Sequence, residues 1–338
     1  MDRPPLEDID NPSAHPAWNT WNVQTQHTSW THQGWTWQGI WATWGESPNS
    51  KEGETWDHVV VAFHGFGRPI EEMLTYAPLF PGKTAMLSVA LCHHQGSSPP
   101  PNQAVTTALE PALFQSAIDA WVLGWTGEST HIESRVLLGY SLGGRVAMTL
   151  FEHHRTAWDR IVLLAPDGFY KNPVYRLAVE TPGGRAVWRW CDQHIDFVRS
   201  VVRMLRKCRF IPAHLEHFAL HHTENQTMRD LVARTWMTHR MFWPTLEGMT
   251  CAWQTRGEKD SSQQGGSTTH AGRSPLFVAF FGERDRIIRW SWCKRWRQVA
   301  PSWVWFLTVP SGHVMRHQKT VECLRSAILQ ELTPQTDP

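Results

Sequence analysis

The sequence has no apolar run near the roughly 18 residues that a membrane-crossing helix needs. Its mean hydropathy is −0.40, so no membrane span is expected. It also lacks a dominant charge. In 338 residues, 32 Lys+Arg stand against 31 Asp+Glu, which argues against a nucleic-acid partner held by bulk electrostatics. The N-terminal residues contain no apolar stretch, so no secretory signal is expected. Cysteine is sparse. The six thiols (Cys92, Cys191, Cys208, Cys251, Cys293, Cys323) are widely spaced and none forms C-x-x-C, a pattern that fits reduced thiols. No G-x-G-x-x-G follows a strand and there is no P-loop, so no nucleotide cofactor is expected. The expectation is a soluble, cytoplasmic protein acting on a small molecule.

Hydrophobic residues make up 41% of the chain, enough for a sizeable core. Tyrosine is scarce and tryptophan abundant, 4 against 21, and packing is the default use of so much indole. Residues 1–17 are polar and read as an irregular tail. Residues 18–45 interleave Trp, Thr and Ile with polar residues and Gly, which predicts an antiparallel hairpin or meander with one buried face. The character then changes. His58–Phe63 is a short β-branched run, as expected of a strand covered on both faces. Similar runs lie at 85–91, 135–138, 160–165, 276–281 and 304–309, with helical patterns at 105–123, 145–154, 291–299 and 320–332. This alternation predicts parallel βαβ units in a doubly wound α/β sheet. Residues 169–254 break it with consecutive helical segments and read as an inserted cap. Residues 255–274 are almost wholly polar and predict a mobile loop. The α/β core would then comprise 18–168 and 275–338.

The chemistry centres on Gly139-Tyr140-Ser141-Leu142-Gly143, a G-x-S-x-G between a buried strand and a helix. A serine on so sharp a turn needs neighbours without bulk two residues away, which Gly139 and Gly143 supply. The turn would lift Ser141 above the strand ends and aim the Leu142 amide at the site. A hydroxyl needs a base to become a nucleophile. His313, in a Ser-Gly-His after the last strand, is placed to be that base. Asp285, in a Gly-x-x-Asp after the preceding strand, is placed to orient it. Asp167 also follows a strand and is the alternative acid. His64-Gly65-Phe66-Gly67, after the first buried strand, is a tight turn that would offer the Phe66 amide as a second oxyanion donor.

These four motifs (HGFG, GYSLGG, GERD and SGH) resemble those of the α/β-hydrolase superfamily over about residues 30–332. The resemblance implies an eight-stranded, mostly parallel sheet with a helical cap after the sixth strand, where 169–254 falls. It implies Ser141 as nucleophile, Asp285 as acid, His313 as base, and Phe66 and Leu142 as oxyanion donors. The favoured activity is hydrolysis of an ester or thioester through an acyl-enzyme. GYSLGGR with HGF upstream also resembles the carbon–carbon lyase SHCHC synthase, although residues 92–98 depart from the second-strand loop of that enzyme. A lyase would use the same triad as a proton shuttle, with cap arginines such as Arg185, Arg199 or Arg203 anchoring a carboxylate. A ligand-binding protein that keeps the fold without turnover is the third reading.

Other residues carry weaker signals. Tyr140 is a candidate substrate contact, although packing beside the nucleophile explains it equally. Arg145, on the first turn of the helix, is placed for a structural ion pair. Cys92, His93 and His94 are adjacent and cannot easily converge on one ion, so no metal site is expected. Trp188, Trp190, Met204, Phe218, Trp236, Met237, Phe242 and Trp243 would line an apolar pocket or form the cap's own core.

Overall fold

The computed structural model describes residues 23–45, 55–104, 106–208, 226–262 and 276–329. The expected tail at 1–17, Phe218 and most of the 255–274 segment lie outside these residues. In chain order the strands are β1 (Gln24–His32), β2 (Trp35–Trp44), β3 (Thr55–Trp56), β4 (His58–Phe63), β5 (Thr84–Val89), β6 (His131–Ile132), β7 (Arg135–Tyr140), β8 (Arg160–Leu164), β9 (Phe277–Gly282) and β10 (Val304–Val309). The principal helices are α1 (Pro111–Thr126), α2 (Leu142–His153), α3 (Pro182–Gln193), α4 (Ile195–Lys207), α5 (Gln226–Thr238), α6 (Leu246–Ser262), α7 (Lys294–Val299) and α8 (Gln318–Leu329).

Eight strands form one sheet in the order β1-β2-β5-β4-β7-β8-β9-β10, and β3 pairs with β6 separately. The β1–β2 and β2–β5 pairings are antiparallel and every other pairing in the large sheet is parallel. Helices cover both faces, so the central strands are apolar throughout rather than alternating. Val59, Val61 and Phe63 of β4 enter the core shared with α1 and α2, while Val60 and Ala62 enter the core shared with α8 and the 3₁₀ segment Ile70–Leu79. Each of these Val and Phe side chains contributes about 1.5–3 kcal/mol by leaving water.

The tryptophans have a specific place in this architecture. Trp41 stacks on Trp125 of α1 with ring centroids 4.1 Å apart, and Trp37 meets Phe114 at 5.3 Å. Gly39 sits between them because a Cβ there would lie 2.7 Å from the Trp121 ring. On the opposite face, the Trp44 indole N–H donates to the Phe80 carbonyl at 2.8 Å. The hairpin therefore differs from the expected one-faced ribbon. β2 is an interior strand covered on both sides, and only the edge strand β1 is mostly exposed.

Two boundaries also move. The first helix begins at Pro111 rather than 105, because a proline holds the residue before it out of helical backbone, and Glu110 is extended (φ −85°, ψ 135°). The segment expected to be a loop from 255 is helical as far as Ser262. Glu258 and Lys259 are good helix formers, and they extend a helix already anchored upstream. That anchor lies outside any cap: Met249, Ala252 and Trp253 of α6 belong to the main core, with Trp253 5.5 Å from Phe277 of β9. The helices inserted between β8 and α6 have a small cluster of their own around Tyr175, Val179 and Met237, against which Trp188, Trp236 and Trp243 pack. Phe242 joins the main core instead, while Trp190 and Met204 are exposed. Among the described residues no helix is long and apolar enough to cross a membrane.

Candidate active site

Ser141 stands between β7 and α2 with φ 51° and ψ −115°, a left-handed backbone that a residue with a side chain adopts only under constraint. Such a conformation costs on the order of 1–3 kcal/mol. Three hydrogen bonds hold it: the Ser141 amide donates to Leu164 O at 3.0 Å, and the amides of Gly144 and Asp167 both donate to Ser141 O at 2.9 Å. Glycine at 143 is required by the same turn. A Cβ there would lie 2.0 Å from the carbonyl oxygen of Phe63, at the end of β4. Gly139 is equally constrained, its Cβ position being 2.5 Å from Gly143 O.

The turn after β10 brings His313 to this serine. His313 Nε2 is 3.0 Å from Ser141 Oγ, and His313 Nδ1 is 2.8 Å from Asp285 Oδ2. Asp285 lies after β9, its side chain wholly buried, and its other oxygen accepts the Ile287 and Ile288 amides at 2.7 and 2.9 Å. A carboxylate can only accept, so Nδ1 carries the proton and Nε2 presents a lone pair to the Ser141 hydroxyl. The alternative carboxylate points elsewhere. Asp167 Oδ2 lies 3.4 Å from Arg145, whose buried guanidinium stacks over Trp243 and Tyr175.

The turn after β4 lies against the serine from the other side. A Cβ on Gly65 would be 3.3 Å from Ser141 Cβ and 2.9 Å from the Tyr140 ring. Neither the Phe66 amide nor the Leu142 amide finds an acceptor among the described residues. Two histidines shape this turn. His64 donates from Nδ1 to Gly65 O at 2.7 Å and accepts the Leu91 amide at Nε2, 2.9 Å away. Full burial, with His94 beside it, pushes its pKa down to about 3, so the ring is neutral. His94 accepts the Gly67 amide at Nε2 (3.1 Å), and burial lowers its pKa also.

The arrangement thus holds a serine hydroxyl, an imidazole, a buried carboxylate and two amides without acceptors among the described residues around one turn. The sequence model of the α/β-hydrolase fold family matches residues 93–319, more than half of the chain. The chain belongs to the α/β-hydrolase family. Its fold also resembles solved structures at low identity. The thioesterase domain from the curacin biosynthetic pathway superposes with a TM-score of 0.52 at 14% identity, covering 91% of this chain and 100% of that one. A hypothetical protein from Pseudomonas aeruginosa gives 0.51 at 12% identity, covering 97% and 99%. No curated protein sequence matches the chain.

Several residues of this α/β-hydrolase fold take places other than those expected. Tyr140 is 2% exposed, and its hydroxyl donates to the His313 carbonyl at 3.2 Å. It supports the histidine turn, with its ring packed between Gly65 and His313. Two of the cap arginines considered as carboxylate anchors are engaged locally: Arg185 donates to the carbonyls of Val179 and Glu180, and Arg199 pairs with Asp196. Residues outside the motifs also matter. His94 was open to reading only as a metal candidate, yet it braces the turn at Gly67. Glu72, which follows Glu71 in the 3₁₀ segment Ile70–Leu79, lies at the centre of an ion-pair cluster beside the site.

Proposed function

We propose that this protein is a serine hydrolase that cleaves an ester or thioester through an acyl-enzyme on Ser141. The observation that carries the reading is the strained serine with a histidine at 3.0 Å, itself oriented by a buried aspartate at 2.8 Å. In this mechanism His313 Nε2 takes the proton of Ser141 as Oγ attacks the substrate carbonyl, and Asp285 stabilises the imidazolium so formed. The amides of Phe66 and Leu142 donate to the oxyanion of the tetrahedral intermediate. His313 then protonates the leaving alcohol or thiol. Water, deprotonated by the same imidazole, releases the acid and restores Ser141. The helices inserted between β8 and α6 would form the cap over the acyl or alcohol pocket, and nothing in this chemistry calls for a metal or an organic cofactor.

A fluorophosphonate probe tests the reading. Wild-type protein is expected to be labelled on the peptide containing Ser141, and Ser141→Ala is expected to remain unlabelled. A panel of p-nitrophenyl esters and acyl thioesters then separates the two substrate classes. A folded wild type that resists the probe and turns over none of the panel refutes the proposal.

A further inference from the structure

Beside the candidate site, on the face of the sheet away from α2, one buried acid joins two loops that the mechanism needs in register. Glu72 lies in the 3₁₀ segment Ile70–Leu79, with its side chain 3% exposed. Its Oε2 accepts from Arg68 Nε at 2.6 Å, and Arg68 is the residue directly after the His64–Gly67 turn. The same oxygen lies 3.7 Å from Arg316 NH1, and Arg316 is three residues past His313. Tyr140, immediately before Ser141, closes the arrangement by donating to the His313 carbonyl. The turn bearing Phe66, the turn bearing His313 and the serine elbow are thereby joined, two of them through a single carboxylate. No part of the catalytic chemistry requires an ion pair here. A buried acid also pays a desolvation cost that an apolar residue would avoid.

We infer that Glu72 is a positioning residue, which holds the oxyanion turn and the histidine turn in register through Arg68 and Arg316. The inference rests on the serine-hydrolase reading. Without Glu72 the arginines lose their shared partner, and no ion pair among the described residues links the two turns to each other. A displacement of about 1 Å at reacting groups lowers rates on the order of 10²-fold, so the effect falls on the chemical step rather than on substrate binding. The charge matters more than the shape, because both partners are guanidinium groups.

The test uses the second-order rate of Ser141 labelling by the fluorophosphonate, with kcat and KM on the best ester of the panel. The variants are Glu72→Gln, Arg316→Gln, Arg316→Lys and the double variant Glu72→Gln/Arg316→Gln. Glu72→Gln is expected to label at least ten-fold more slowly and to lose kcat with little change in KM. Arg316→Gln should behave similarly, Arg316→Lys should recover most of the rate, and the double variant should be little slower than the worse single one. Thermal unfolding establishes that each variant is folded at the assay temperature. Because Arg316 is on the rim of the cluster, its variants decide the matter should Glu72→Gln not fold. Wild-type rates in folded Glu72→Gln or Arg316→Gln, or losses that simply multiply in the double variant, overturn the inference alone. A wild type that is not labelled overturns the hydrolase reading and this inference with it.

Discussion

Mild acid is expected to destabilise this protein before most of its carboxylates titrate, because two imidazoles are buried in neutral form. His64 and His239 are fully buried, and desolvation pushes the pKa of each down to about 3. His64 uses both ring nitrogens, while His239 donates from Nδ1 to Thr235 O at 2.9 Å. An imidazole in the unfolded chain titrates at about 6.5. Between that value and 3 the unfolded chain binds protons that the native chain refuses. The stabilising contribution is therefore complete above about pH 6.5 and is lost as pH falls. Each ring adds a slope of up to ~1.4 kcal/mol per pH unit, so the pair removes about 4 kcal/mol between pH 7 and pH 5. Against a typical stability of ~5–15 kcal/mol that loss is large. His58, His94 and His154 are shifted in the same direction by burial and steepen the fall. Urea unfolding at pH 7, 6 and 5, followed by tryptophan fluorescence and far-ultraviolet circular dichroism, measures it. His239→Asn, whose amide can still donate to Thr235 O, should make the decline shallower by about 2 kcal/mol over the same range. Equal urea midpoints at pH 7 and pH 5 would refute the reasoning, as would an unchanged slope in His239→Asn.

Other perturbations separate strain, packing and chemistry. Ser141→Gly should abolish labelling yet raise stability by about 1 kcal/mol over Ser141→Ala, because glycine accepts the φ of 51° without strain; calorimetry of the two variants decides it. Asp285→Asn should lower kcat on the order of 10⁴-fold at neutral pH. Asp167→Asn should keep most of the activity, since Asp167 faces Arg145 instead; a larger loss in Asp167→Asn would reverse the assignment of the acid. Trp41→Ala should cost about 3–5 kcal/mol in urea unfolding by removing a fully buried ring stacked on Trp125. Trp190→Ala, at an exposed position, should stay within about 0.5 kcal/mol.

Much of the candidate site could be read in the chain because its signals are local. A β-branched run covered on both faces, a serine between two glycines and a histidine after the last strand are set by side-chain period and turn sterics over a few residues. The order of strand, elbow, acid and base along the chain then restricts the topologies open to it. What the chain could not disclose are relations between side chains distant in sequence. The choice of Asp285 over Asp167 rests on which carboxylate the turns after β9 and β8 bring to His313, one at 2.8 Å and the other committed to Arg145. The burial of Tyr140, the attachment of α6 to the core and the bracing of Gly67 by His94 are of the same kind. So is the cluster at Glu72, which sequence pattern renders as an ordinary surface acid. Each depends on a distance across the sheet or between loops, and local periodicity carries no record of such distances; only the closed tertiary structure determines them.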